Sequence, residues 1–322
     1  SSLSFKEALE VQKIVIPLAL KGKNVAFTSR TGSGKTLAYL LGFVGRINTK
    51  LGIQMVVLVP TRELCIQVGK EMAKVCQPLG IKVGMLYGGR EIAGDSRTIN
   101  KKNHILVGTP GRLIQHINAK RIKVGDVKYL VYDESDHMFD LGFFDECVYL
   151  KKRVSKDAQI IFSSATINER VRQFIETELT DHELLKIGEL VPKNIIQETV
   201  LCSILEKKEV LLEFLQQHEF TRIMIFCNTK DKTAEITQFL SEHKYRAREL
   251  NSNLNQDERL NTLNLFKEGK VHILVASDVI ARGIQIEKVD AVINYDVPTR
   301  PEFYIHRIGR TGRRDKDGYC LT

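Results

Sequence analysis

Eight consecutive residues of this 322-residue chain could bind a polyphosphate: Ser29-Arg30-Thr31-Gly32-Ser33-Gly34-Lys35-Thr36. In a glycine-containing turn that ends in Gly-Lys-Thr, successive backbone N–H groups point at phosphate oxygens, and the following helix adds its positive dipole end. Lys35 is expected to bring an ammonium to the phosphates, and Thr36 a hydroxyl ligand for Mg²⁺. Gly32 and Gly34 let the backbone come close, while Thr31 and Ser33 complete the cradle. The small Ser29 stands where the usual pattern has glycine. The apolar run Val25-Ala26-Phe27 reads as a preceding strand. Lys35 to Ile47, apolar at Leu37, Leu40, Leu41 and Val44, reads as a following helix.

A second reactive cluster is Val131-Tyr132-Asp133-Glu134-Ser135-Asp136, carboxylates at the end of an apolar strand. In a phosphate-loop protein an acid at this place holds Mg²⁺, and Asp133, first after the strand, is expected to do so through water. Glu134 beside it is expected to orient and deprotonate an attacking water. A metal and a base adjacent in this way suit hydrolysis.

Such groups must sit at strand ends, and the chain has the pattern of an open parallel sheet. Short β-branched runs alternate with helical ones: Met55 to Val59 then Arg62 to Cys76, Ile105 to Gly108 then Arg112 to Asn118, Tyr129 to Tyr132, and Gln159 to Ser163 then Asn168 to Thr177. This predicts a doubly wound α/β domain over residues 1–187. Gly188, Pro192, Lys193 and Asn194 break the periodicity, so 188–196 reads as a linker. Alternation restarts with Glu198 to Cys202, Glu209 to Gln217, Ile223 to Phe226, Lys230 to Glu242, Gln256 to Lys267, Ile273 to Ala276 and Ala291 to Asn294, a second α/β domain over 197–322 without a phosphate loop.

The length suits two cores, and no apolar run reaches the ~18 residues of a membrane span. A net charge of +9 favours a polyanionic partner such as nucleic acid. The six cysteines have no metal-ligand spacing and read as buried thiols of a reducing, intracellular compartment, cytoplasmic or nuclear.

Further short strings follow in order: Pro60-Thr61-Arg62-Glu63-Leu64, Gly88-Gly89, Thr109-Pro110-Gly111-Arg112, Ser164-Ala165-Thr166, Gln256 to Arg259, Ser277-Asp278-Val279-Ile280-Ala281-Arg282-Gly283, and His306-Arg307-Ile308-Gly309-Arg310-Thr311-Gly312-Arg313. With the phosphate loop they cover nearly the whole chain and resemble the core of a DEAD-box ATP-dependent RNA helicase of superfamily 2, with Asp-Glu-Ser-Asp at 133–136 as its variant Walker B motif. The resemblance implies two tandem RecA-like parallel-sheet domains, ATP and Mg²⁺ as cofactors, and single-stranded RNA as a sequence-independent partner.

It also implies roles for single residues. Gln12 matches the family's adenine-reading glutamine, and a carboxamide's paired donor and acceptor suit adenine's amino group and N7. Phe5 matches an aromatic that stacks on the base. Gly283 belongs to the same site, as does Gln285, which replaces an aspartate that bonds the ribose. Arg310 and Arg313 match arginine fingers on the γ-phosphate, and Arg307 is expected to be structural. With loop and fingers on different domains, full activity is expected to require closure. RNA contacts are assigned to Pro60, Thr61, Arg62, Gly89, Thr109 and Arg112 on the first domain and to Arg259 and Ser277 on the second. Thr109-Pro110-Gly111 also reads as a plain turn into a helix. Ser164 and Thr166 match the motif that couples nucleotide state to strand separation, with Asp136 and His306 as expected partners. They also read as a helix cap ahead of Asn168.

Two functions fit these motifs. One is a monomeric helicase, open to protein regulators, that couples ATP hydrolysis to RNA duplex unwinding or ribonucleoprotein remodelling. The other is an ATP-gated RNA clamp that separates no strands. The end at Thr322, soon after the finger motif, leads us to expect that the second domain's last strand or helix is missing.

Overall fold

The computed structural model describes residues 7–30, 32–89, 91–188, 194–278, 286, 289–312 and 317–322, with only the backbone at Gln256. It divides into two compact units, Ser1–Gly188 and Glu189–Thr322. Phe5, Thr31, Gly283, Gln285 and Arg313, all expected at the site, lie outside the described residues.

In the first unit the described strands are β1 (Asn24–Thr28), β2 (Met55–Leu58), β3 (Val83–Leu86), β4 (Ile105–Gly108), β5 (Tyr129–Tyr132), β6 (Gln159–Ser164) and β7 (His182–Lys186). They form one sheet in the order β3-β4-β2-β5-β6-β1-β7, every pair parallel. Helix α1 (Glu10–Leu20) precedes β1, and the crossovers carry α2 (Lys35–Phe43), α3 (Arg62–Cys76), α4 (Ser96–Ile99), α5 (Pro110–Asn118), α6 (Ser135–Asp140), α7 (Phe144–Lys151) and α8 (Glu169–Glu178).

Side chains along a strand alternate between faces, and the two cores show it. Val25, Phe27, Val57, Val107 and Val131 pack on one face; Ala26, Val56, Leu58, Leu130 and Phe162 pack on the other. Helices cover both faces, which is why the strands read as unbroken apolar runs.

The second unit repeats the plan with β8 (Ile195–Glu198), β9 (Ile223–Cys227), β10 (Ala247–Leu250), β11 (Ile273–Ser277), β12 (Ala291–Asn294) and β13 (Gly318–Leu321). Their order is β10-β11-β9-β12-β13-β8, again parallel. Its helices are α9 (Lys207–Gln217), α10 (Lys230–Glu242), α11 (Gln256–Lys267) and α12 (Pro301–Ile308).

Several boundaries differ from expectation. The strand expected over Glu198 to Cys202 is Ile195–Glu198, so it begins within the segment read as linker; pairing with Gly318–Leu321 fixes its register. The helix after the phosphate loop ends at Phe43, and Val44–Arg46 tightens into a 3₁₀ turn. At the end of the chain, β13 lies between β12 and β8 within the sheet. Five of the six cysteines are buried, Cys202 is exposed, and all are free thiols.

Candidate functional site

The carboxyl ends of β1, β5 and β6, adjacent in the sheet as β5-β6-β1, bring the two reactive clusters together. Ligands of open α/β sheets bind at this edge. Register places Thr28 beside Ser164 and Tyr132 beside Phe162, so the phosphate loop and Asp133 flank the end of β6.

The loop is held by its own small residues. The Ser29 N–H donates to the Ser164 carbonyl at 3.1 Å, and the Ser29 and Ser33 hydroxyls are 2.5 Å apart. The serine that replaces glycine therefore closes the turn. Lys35 is buried, and its Nζ donates to the Ser29 carbonyl at 3.1 Å.

Gly34 starts α2 with φ +88°. That backbone conformation favours glycine, and a Cβ there would lie 2.6 Å from Gln12 Nε2 and 2.7 Å from Leu9 Cδ1, displacing those side-chain ends. Gln12 is tied to the loop directly: Nε2 donates to the Gly34 carbonyl at 3.2 Å, and Oε1 accepts from the Leu9 N–H at 3.0 Å. A carboxamide has two donors and two lone pairs, so one of each remains for a ligand.

Asp133 is buried at the end of β5. Its Oδ1 accepts from Ser163 Oγ at 3.0 Å and from the Glu134 N–H at 3.1 Å, and its Oδ2 accepts from the Tyr39 hydroxyl at 3.1 Å. Burial pushes its carboxyl above the usual range, opposed chiefly by the Lys35 ammonium. Burial likewise raises the Tyr39 phenol well above its ordinary value, which keeps it a donor.

Neither Tyr39 nor Ser163 was expected at the site. Tyr39 lies four residues after Lys35 and three after Thr36, on the same helix face, which was the available signal. Glu134 caps α6 at φ 51°, a left-handed conformation that non-glycine residues adopt mainly under constraint. Its Oε2 lies 3.7 Å from His137 Nδ1. The Ser135 hydroxyl donates to the Ser163 carbonyl at 2.9 Å and fastens α6 to β6.

The coupling residues meet in part. Asp136 Oδ2 accepts from the Thr166 N–H at 3.0 Å and from the Thr166 hydroxyl at 2.8 Å. Ser164 does not join that pair; its hydroxyl donates to the Thr166 carbonyl at 2.6 Å. The cap of α8 is Asn168, whose Oδ1 accepts from the Val171 N–H at 2.9 Å, so neither Ser164 nor Thr166 serves as one.

Among the residues assigned to RNA, Pro60, Thr61 and Arg62 follow β2, Gly89 follows β3, and Thr109 follows β4. Thr61 caps α3 through the Leu64 N–H at 3.3 Å. The Arg62 guanidinium stacks 5.0 Å above the Tyr87 ring and donates to the Gly89 carbonyl at 3.4 Å. Thr109 is the N-cap residue of α5, but its hydroxyl makes no capping bond.

Arg112 is bonded within its own unit. It is 5% exposed; its Nε donates to Asp95 Oδ2 at 2.7 Å, Nη1 to Gln115 Oε1 at 3.1 Å, and Nη2 to the Glu91 carbonyl at 3.0 Å. His116 Nε2 lies 2.8 Å from the same Asp95 oxygen. Arg112 thus ties α5 to the Glu91–Asp95 segment.

In the second unit Ser277 ends β11, and Arg259 lies on α11. Arg307 of α12 is 1% exposed. It forms a fork on Asp278 at 2.6 and 2.7 Å, bonds Asn294 Oδ1, the Asp296 carbonyl and Asn228 Oδ1, and lies over the Phe226 ring at 5.2 Å. This matches the structural part expected of it. Removing one partner of such a buried pair typically costs 3–5 kcal/mol, so Arg307→Ala is expected to destabilise this unit by about that amount in urea unfolding of the full chain. Arg310, just past α12, is buried and donates from Nε to the His306 carbonyl at 3.2 Å.

Two parallel α/β units, the first with a phosphate loop and an acid at neighbouring strand ends, define the RecA-like class of phosphate-loop folds. Within it the chain belongs to the DEAD/DEAH box helicase family, whose model matches residues 9–174; the helicase conserved C-terminal domain matches residues 206–315. It is 37% identical to the ATP-dependent RNA helicase CshA of Listeria monocytogenes, across 99% of this chain and 62% of that protein. It is 38% identical to the DEAD-box ATP-dependent RNA helicase CshA of Bacillus subtilis, across 99% and 65%. The chain thus spans a little under two thirds of these relatives. Among solved structures it resembles S. cerevisiae Dbp5 bound to RNA and ADP BeF3, with a TM-score of 0.86 and 27% identity over 98% of this chain and 83% of that one. It also resembles the DEAD-box helicase Mss116 bound to ssRNA and UDP-BeF, with a TM-score of 0.87 and 26% identity over 99% and 70%.

Proposed function

We propose that this chain is the catalytic core of an ATP-dependent RNA helicase, acting as a monomer inside the cell. ATP hydrolysis would drive local unwinding of RNA duplexes or remodelling of ribonucleoprotein. The observation that carries this reading is the convergence of Lys35, Thr36, Asp133 and Glu134 at the carboxyl edge of one sheet, in a chain whose relatives are named RNA helicases.

The residues present fit Mg²⁺. Among the described residues no group of three or more His, Cys, Asp or Glu side chains is arranged for a metal. A hydroxyl, one carboxylate, water and phosphate oxygens are what Mg²⁺ accepts. Thr36 and Asp133 would hold the ion, which supplies charge neutralisation to the phosphates when bound. In this reading Tyr39 and Ser163 fix the Asp133 carboxylate, Lys35 binds the phosphates, and Gln12 selects adenine with its remaining donor and acceptor. Glu134 accepts the proton of the attacking water. Arg310 and Arg313 would stabilise the γ-phosphoryl charge as it spreads, so turnover is expected to need both units.

RNA would be gripped through Thr61, Arg62, Gly89 and Thr109, with Arg259 and Ser277 from the second unit. Such groups suit phosphates and sugars, which gives salt-dependent affinity and little sequence preference. The Thr166–Asp136 contact is the proposed link from nucleotide to RNA, with His306 its proposed partner. Dbp5 bound to Gle1 is a precedent for protein regulators.

The testing experiment measures ATPase activity with and without single-stranded RNA, alongside separation of a short duplex. Stimulation by RNA and ATP-dependent strand separation are the expected results; turnover indifferent to RNA would refute the reading. Tyr39→Phe removes one of the Asp133 donors, and outer partners of metal ligands typically contribute 10–100-fold to metal affinity. The Mg²⁺ concentration that half-activates the ATPase is therefore expected to rise by about 10-fold, with folding unaltered by circular dichroism.

A further inference from the structure

At the far end of the second sheet β10 is an edge strand: it pairs with β11, and among the described residues no strand lies on its other side. A groove of about 600 Å³ runs along this edge between α10 and the end of α11. Its floor includes Ala247, Leu265 and Val271, and its rim carries Arg246, Arg248 and Lys270. All three cationic residues are exposed. This surface is built on strand and helix residues outside every motif used above.

The backbone of the edge is oriented for pairing. The Ile273 N–H donates to the Arg246 carbonyl at 3.2 Å, and Ala247 lies opposite Ile273. In a parallel ladder the groups of alternate residues face one neighbour. Arg246, Arg248 and Leu250 thus address β11, whereas the Ala247 carbonyl and the main-chain groups of Glu249 turn toward the groove; the Ala247 N–H donates to the Tyr245 carbonyl at 2.9 Å.

Side chains alternate as well. Ala247 packs in the core that includes Ile236 and Leu240 of α10, and Leu250 packs in the core that includes Leu263 and Phe266 of α11. Arg246 and Arg248, four and two residues before Leu250, fall on the α11 face, the side on which Lys270 follows α11. The Glu249 carboxylate falls on the opposite face and accepts from Asn251 Nδ2 at 2.7 Å.

Arg246 and Arg248 therefore place positive charge on one face of an unpaired edge, with Lys270 beside them paired to Glu268 at 2.8 Å, while the other face offers Ala247, Thr237 and Ser241 next to the Glu249 carboxylate. Edge strands commonly carry cations that prevent self-pairing, and the same cations select a partner of opposite charge. We propose that this groove docks an extended acidic segment of a partner protein, added to β10 as a further strand. Acids at alternate positions would meet Arg246 and Arg248, and small apolar residues between them would meet the α10 wall. Main-chain bonds to Ala247 and Glu249 would supply affinity, and the charges specificity. At ~3.3 Å per residue the edge accommodates about four residues, a short linear motif.

The probe is a fluorescein-labelled peptide Ser-Glu-Val-Glu-Val-Glu-Ser, titrated with the full chain and followed by anisotropy. Saturable binding is expected, weakened at least 10-fold by the double change Arg246→Glu and Arg248→Glu, which leaves RNA-stimulated ATPase within two-fold of wild type. A second peptide, N-methylated at all three glutamates and both valines, keeps every charge but blocks strand addition in either direction, and is expected to bind at least 10-fold more weakly. No saturable binding, or equal affinity for the methylated peptide, would overturn the proposal. So would a single-stranded RNA oligomer that displaces the peptide and itself loses affinity on charge reversal, since the groove would then belong to nucleic acid.

Discussion

Replacing Glu134 by glutamine is expected to lower RNA-stimulated ATP turnover by about 10²–10⁴-fold, the range of a general base, while a non-hydrolysable ATP analogue still binds. The structural case rests on how this side chain is placed. Asp133 is buried and takes three hydrogen bonds, which fix its carboxylate as a rigid acceptor. Glu134 follows at φ 51°, a left-handed turn, and in the proposed reading it takes the part of base while Asp133 holds the metal. Glutamine keeps the length and polarity of the side chain, and the Glu134 N–H can still donate to Asp133, so the loop geometry should survive. Only proton acceptance is lost. Single-turnover phosphate release separates this from impaired binding: the burst should vanish with the analogue's affinity changed less than about three-fold. Turnover within a few-fold of wild type would remove Glu134 from the role of base and leave it as a strained cap of α6.

What could be seen in advance, and what could not, follows from the range of the interactions. The phosphate loop is contiguous: strand, glycine turn and helix dipole occupy neighbouring residues, so spacing alone reveals it. Asp133 was legible for the same reason, but its partners were not. Tyr39 comes from the helix after β1 and Ser163 from β6, and only the strand order β5-β6-β1 brings them together. The partner of Arg112 was hidden because its motif is local while that partner is not. Asp95 lies seventeen residues earlier in a short 3₁₀ turn with no periodic signal, and only burial shows that the charge points inward. The strands that went unseen have equally physical causes. β3 contains Gly84, β7 is an edge strand exposed at Glu183, Leu184 and Lys186, and β10 carries Arg248 and Glu249, so none reads as an apolar run. Their places are dictated by neighbours far away in sequence.

Arg310→Ala is expected to reduce RNA-stimulated turnover by ~10³–10⁵-fold, the range for arginine fingers in phosphoryl transfer, with nucleotide binding largely retained. Arg307 provides the contrast that makes the experiment informative. The two arginines are three residues apart at the end of α12, and both are buried. Arg307 spends its guanidinium on Asp278, Asn294, Asn228 and the Asp296 carbonyl, so its loss should appear as instability. Arg310 is steered by a main-chain contact, Nε to the His306 carbonyl, which sets the direction of a planar fork. If its task is transition-state charge, Arg310→Ala should leave the unfolding midpoint close to wild type while turnover collapses. Arg310→Lys, which restores the charge without the fork, should recover only part of it. Should Arg310→Ala instead destabilise the unit as much as Arg307→Ala and lose analogue binding in parallel, the residue would be a second structural anchor. Arg313 would then be left to supply the charge from this motif.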